Sequence, residues 1–108
     1  MALPSADEAS PEVKAVFDEI MVFYATDRVP AVFRWMARDP IFLQGYWGAV
    51  REAFADRKLD RLTKEVLAFA ASMTAKSDYG VDLHLREARH LGLNEQEIAA
   101  LTAAGAIT

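Results

Sequence analysis

DRLTKEVLAFAASMTAKSDYGVDLHLREARHLG, residues 60 to 92, carries two helical periods on either side of a short break. Asp60 is an N-cap type of residue. Behind it Leu62, Val66, Phe69, Ala70 and Met73 recur at three- and four-residue spacing, which predicts a helix over about residues 61–75. Lys76-Ser77-Asp78 interrupts that pattern. Val81, His84, Leu85, Ala88 and Leu91 then form a second apolar line over residues 79–91, and Gly92 is a natural residue to end it. A connection this short makes antiparallel neighbours of the two helices. A central antiparallel helical hairpin is the expectation from which the rest of the fold is built.

On the N-terminal side, Ser10-Pro11-Glu12 supplies a cap, a first-turn proline and a first-turn acid. Val13, Val16, Phe17, Ile20, Met21 and Tyr24 continue from it as one stripe to about residue 25, with residues 1–9 as an extended leader. A shorter helix over residues 31–38 carries Val32, Phe33, Trp35 and Met36 and stops before Asp39-Pro40. The next, over residues 41–55, reads with Ile41, Phe42, Tyr46, Ala49, Val50, Ala53 and Phe54 inward, and Gly45 and Gly48 mark a close helix approach. On the C-terminal side, Asn94 and Glu97 have capping-box spacing, and Leu93 and Ile98 that of a hydrophobic staple. A last helix to about residue 103 and a fraying tail complete the chain. Twenty Ala against twelve Val and Ile together agree with an all-α protein of about six helices.

Composition narrows the function. At 108 residues the chain is read as one domain, and 53% hydrophobic residues is high for that size, which points to an oligomer. A net charge of −4 with eight scattered Arg argues against a nucleic-acid partner. No apolar run approaches the ~20 residues needed to cross a bilayer, and the N-terminus has no signal-peptide pattern, so the expectation is a cytoplasmic protein without a membrane partner. There is no cysteine, which removes thiol catalysis, disulfides and thiolate metal sites together. His84 and His90 lie about 240° apart around a helix, and no metal or other cofactor is expected. Asp82 is four residues before Arg86, the spacing of a surface ion pair.

His84 is the residue that invites chemistry, because an imidazole on an apolar helix face must find a partner. Glu65 sits at the edge of the preceding helix's buried stripe. A hairpin brings the two within reach, where a carboxylate selects one imidazole tautomer and prepares a general base. The plain readings, a satisfied core histidine and a first-turn acid, stand beside this one. Trp35, Phe42, Tyr46, Trp47 and Phe54 either line a pocket or form core and subunit interface. Tyr79 reads as a pocket wall or proton donor, and Ser77 as a candidate substrate contact.

The set Leu59-Asp60-Arg61, Glu65, Ser77-Asp78-Tyr79-Gly80, His84 and Gly92 to Ile98 resembles the carboxymuconolactone decarboxylase and alkyl hydroperoxidase D superfamily. In its peroxidase branch a glutamate precedes a Cys-x-x-Cys by twelve residues, and a histidine follows four residues after the second cysteine. Glu65 and His84 match the glutamate and the histidine, while the cysteine positions fall on Ser77 and Gly80. The resemblance implies an all-α fold assembled as a homo-oligomer, often a trimer or hexamer, and the missing thiols exclude dithiol peroxidase activity. The decarboxylase branch is similar around Asp82-Leu83-His84-Leu85-Arg86, where its histidine is followed two residues later by arginine. By that likeness the chain is a cofactor-free acid–base enzyme. His84 and Glu65 would be catalytic, with Arg86, Tyr79, Ser77 and Trp47 as substrate-binding candidates for a small carboxylated molecule. The competing reading is a catalytically degenerate member that serves as an oligomeric binding or scaffold protein.

Overall fold

The computed structural model describes residues 9–106, so the predicted leader, apart from Ala9, and the last two residues of the tail lie outside the described residues. Six helices and no strand occur among them: α1 (Pro11–Phe23), α2 (Ala31–Met36), α3 (Pro40–Ala53), α4 (Arg61–Thr74), α5 (Asp78–His90) and α6 (Glu95–Ala106). The chain divides into two compact units, one ending at Ala53 and the other beginning at Phe54. No helix among the described residues is long and apolar enough to cross a membrane.

In the first unit α1 and α2 both pack on α3. Val13, Val16, Phe17 and Ile20 of α1 close with Val29, Phe33, Leu43 and Trp47 into one core. Phe23 and Phe33 meet the Trp47 ring edge-on at 5.3 and 5.8 Å, the T-shaped geometry that aromatic quadrupoles favour. The inward face of α3 differs from the one the sequence predicts. Leu43 and Trp47 are buried, whereas Ile41 is 82%, Phe42 55% and Tyr46 44% exposed. Apolar residues surround this helix almost completely, so periodicity alone does not single out the side that meets α1. Gly45 and Gly48 have open space where a Cβ would stand, and no close helix approach occurs at either.

The second unit is built on the hairpin. Arg61 lies opposite Glu87, Glu65 opposite His84 and Ser72 opposite Gly80, a descending register that makes α4 and α5 antiparallel. The close approach is at Gly80: a Cβ there would stand 2.3 Å from Ser72 Oγ and 2.9 Å from Ser72 Cβ. α6 packs against α4, with Ile98 buried.

Local chemistry sets the helix ends. The side chains of Ser10, Asp60 and Ser77 accept from the backbone N–H three residues on. The Thr63 N–H on Asp60 also holds that carboxyl below its ordinary range. Asn94 and Glu97 form the reciprocal capping box, with bonds of 2.8 and 3.0 Å. Three helices end in Schellman motifs. Gly92 (φ 111°) closes α5, while Ala25 (φ 49°) and Lys76 (φ 56°) take the same left-handed place after α1 and α4. At the hairpin turn, Lys76 N–H donates to Met73 O and Ser77 N–H to Ser72 O, so the break between α4 and α5 is a fixed turn. α6 runs to Ala106, past the expected end near residue 103.

Candidate functional site

Glu65 and Glu87 are the buried charged residues of the second unit, each 2% exposed. An ionised carboxyl so placed must be paired, since the Coulomb and hydration terms it forfeits are several kcal/mol. Two rungs across the hairpin meet that requirement. On one, the Glu65 carboxylate accepts from His84 Nδ1 at 2.7 Å. On the other, Arg61 Nη2 donates to Glu87 Oε1 at 2.5 Å. Arg61 Nε also faces Glu65 Oε2 at 3.5 Å, across one helical turn. The four side chains form a single chain of contacts, Glu87 to Arg61 to Glu65 to His84.

His84 keeps 16% of its side chain accessible, and its ring stacks on Phe54 at 5.5 Å with an 18° tilt. The stack fixes the ring plane and the Glu65 bond fixes its rotation. An ionised carboxyl can only accept, so with Glu65 as the carboxylate it is Nδ1 that carries the imidazole proton. The neutral ring then has its lone pair on Nε2.

The charges of the cluster are unbalanced in a useful way. With both carboxyls ionised, two negative charges face the single positive charge of Arg61, and a protonated His84 makes the group neutral. Burial pushes the Glu87 carboxyl up and Glu65 adds to this, against Arg61 and His90, which draw it down. A carboxyl raised on folding contributes stability that is complete below its unfolded value, near 4.5, and is lost as pH rises through the folded value. Glu87→Gln lacks that term. Urea midpoints measured from acid to neutral pH should therefore move in favour of Glu87→Gln relative to wild type as pH rises.

The remaining predicted residues are placed elsewhere. Ser77 is the N-cap of α5, its Oγ accepting from Gly80 N–H at 3.1 Å, about 10 Å along the helix axis from His84. Tyr79 is 59% exposed in the first turn of α5. Arg86 is exposed, and at two residues from His84 it projects from nearly the opposite side of α5. Arg86 and Asp82 form no ion pair among the described residues. Trp47 belongs to the first unit, where its ring also borders a cavity of about 410 Å³ with Asp18, Glu19, Val22, Phe23 and Arg51. Sequence reasoning missed the site roles of Arg61 and Glu87. The available signal was spacing: Glu87 is three residues from His84 and Arg61 four from Glu65, so each shares a helix face with the residue already singled out.

The described residues are all-α, and their helical hairpin joins a buried glutamate to a partly buried histidine in a chain without cysteine. The sequence profile of the Carboxymuconolactone decarboxylase family matches residues 40–108, and the chain belongs to that family. It is also similar to the crystal structure of the alkylhydroperoxidase AhpD core from Rhodospirillum rubrum, at 33% identity and a TM-score of 0.80, over 90% of this chain and 72% of that one. No curated protein matches it significantly.

Proposed function

We propose that this protein is a cofactor-free acid–base enzyme that moves a proton on a small carboxylated molecule, in a decarboxylation or a double-bond shift. The observation that carries the reading is the 2.7 Å bond between Glu65 and His84 Nδ1 in a buried, ion-paired setting, with Phe54 against the ring. In an isomerisation, Nε2 takes a proton from the carbon next to the activating group, and the C–H electron pair enters the adjacent π system. The imidazolium then returns the proton at the far carbon. In a decarboxylation, His84 enters as the imidazolium, protonated at Nε2 from water. The bond to the carboxylate carbon breaks, carbon dioxide leaves, the electron pair left on carbon takes the Nε2 proton, and water restores it. Glu65 stabilises that cation at its other nitrogen, and Arg61 Nε faces the second oxygen of Glu65.

The absence of cysteine supports this reading over a dithiol reaction. Exposed Trp35, Ile41, Phe42 and Tyr46, with Phe42 and Tyr46 stacked at 6.2 Å, support assembly as a homo-oligomer. Proton NMR in deuterated buffer tests the chemistry with a panel of small unsaturated and keto carboxylates. The wild type should exchange or move a carbon-bound proton, or release carbon dioxide, on at least one of them, and His84→Gln should do neither. Equal rates in wild type and His84→Gln across the panel would contradict the proposal.

A further inference from the structure

Arg61 stands between two carboxylates that are each 2% exposed, Glu65 on its own helix and Glu87 across the hairpin. A guanidinium is a planar fork, and with one carboxylate to itself it makes two parallel bonds and occupies both oxygens. Here its Nη2 is engaged by Glu87 Oε1, while its Nε faces Glu65 Oε2 at 3.5 Å. Oε1 of Glu65 is thereby left to His84 Nδ1.

We propose that Glu87 is a positioning residue for the Glu65–His84 couple: by engaging Arg61 it keeps the guanidinium off Oε1 of Glu65, so that this oxygen stays on the imidazole. The inference rests on the acid–base reading above and adds the residue that decides which partner Glu65 serves. Without the Glu87 carboxylate, Arg61 keeps its charge at every accessible pH. Glu65, one turn along the same helix, is a buried carboxylate already facing it, and a bidentate bond to Glu65 takes Oε1. His84 loses the acceptor that selects Nδ1–H, and part of its neutral population moves the proton to Nε2, the nitrogen that has to act as base.

The tautomer is read directly from the imidazole nitrogens by long-range proton–nitrogen NMR in alkaline buffer. Wild type and Glu87→Gln, which keeps an acceptor for Arg61, should both show mainly Nδ1–H. In Glu87→Met the ratio of Nδ1–H to Nε2–H should fall about tenfold, the equivalent of one ordinary hydrogen bond. In Arg61→Met/Glu87→Met, with no guanidinium to compete, it should recover. A wild-type ratio in Glu87→Met, or no recovery in the double variant, overturns the inference. Should Glu87→Met fail to fold, Glu87→Asp withdraws the carboxylate by one methylene at unchanged charge. It carries the same expectation of a lowered ratio, and an unchanged one counts against the inference. Glu65→Met separates the two levels. If it abolishes the Nδ1–H preference while the Glu87 variants do not, only the role of Glu87 fails; if it has no effect, the couple itself fails.

Discussion

Arg61→Met is expected to destabilise the protein by roughly 3–5 kcal/mol at neutral pH, the cost of leaving a buried charge without its partner. Both carboxylates that face Arg61 are 2% exposed, so water cannot take over its role without opening the hairpin. Against the ~5–15 kcal/mol of a typical domain, this leaves little reserve. Two further results identify the cause. The penalty should shrink toward acid pH, where the abandoned carboxyls are protonated and no longer need a cation. It should also be largely recovered in Arg61→Met/Glu87→Met, because replacing a whole buried ion pair by apolar groups of similar volume is often neutral. Urea unfolding of the two single variants, the double variant and wild type at two pH values measures all of this. A cost below about 1 kcal/mol for Arg61→Met would match an exposed pair and remove the cluster from the stability account.

Gly80→Ala should cost about 1–3 kcal/mol from overpacking, less the ~1 kcal/mol that alanine returns as the better helix former. The conflict is with Ser72, whose Cβ would lie 2.9 Å from the new methyl group, a contact that rotating the hydroxyl cannot relieve. In a Ser72→Gly background the same exchange should become favourable, and the coupling in that cycle isolates the contact. Gly80 is also where the peroxidase pattern places its second cysteine, and Ser77, where it places the first, caps α5. Ser77→Cys/Gly80→Cys therefore removes a cap and overfills the hairpin, and it should unfold at lower urea than wild type. At Gly80 the packing against Ser72 leaves no room for a side chain, so the departure from that pattern extends to packing as well as to composition.

The hairpin, the caps and the Glu65–His84 contact were legible because each is local in sequence or follows from one short turn. Ser10, Asp60 and the Asn94–Glu97 pair cap the helices they precede, as capping is a property of a few adjacent residues, whereas Ser77, which reads as a substrate contact, is the cap of α5. The inward side of α3 was not legible. Ile41, Phe42, Leu43, Tyr46 and Trp47 crowd nearly every direction around that helix, and only tertiary contact selects Leu43 and Trp47 for burial. Arg61 and Glu87 were hidden for the opposite reason. A glutamate between Arg86 and Ala88, and an arginine at the head of a helix, are ordinary surface residues by type. Their burial becomes visible once α4 and α5 are set in register and each is seen to complete the other's charge.

The central claim is that Glu65 holds the His84 proton on Nδ1 and leaves Nε2 free to act as a base. The most direct test is the tautomeric state of His84 in the wild-type protein, read from its imidazole nitrogens by long-range proton–nitrogen NMR beside Glu65→Met. The account predicts mainly Nδ1–H in wild type and loss of that preference in Glu65→Met. A wild-type ring protonated on Nε2, or one indifferent to Glu65, would contradict it.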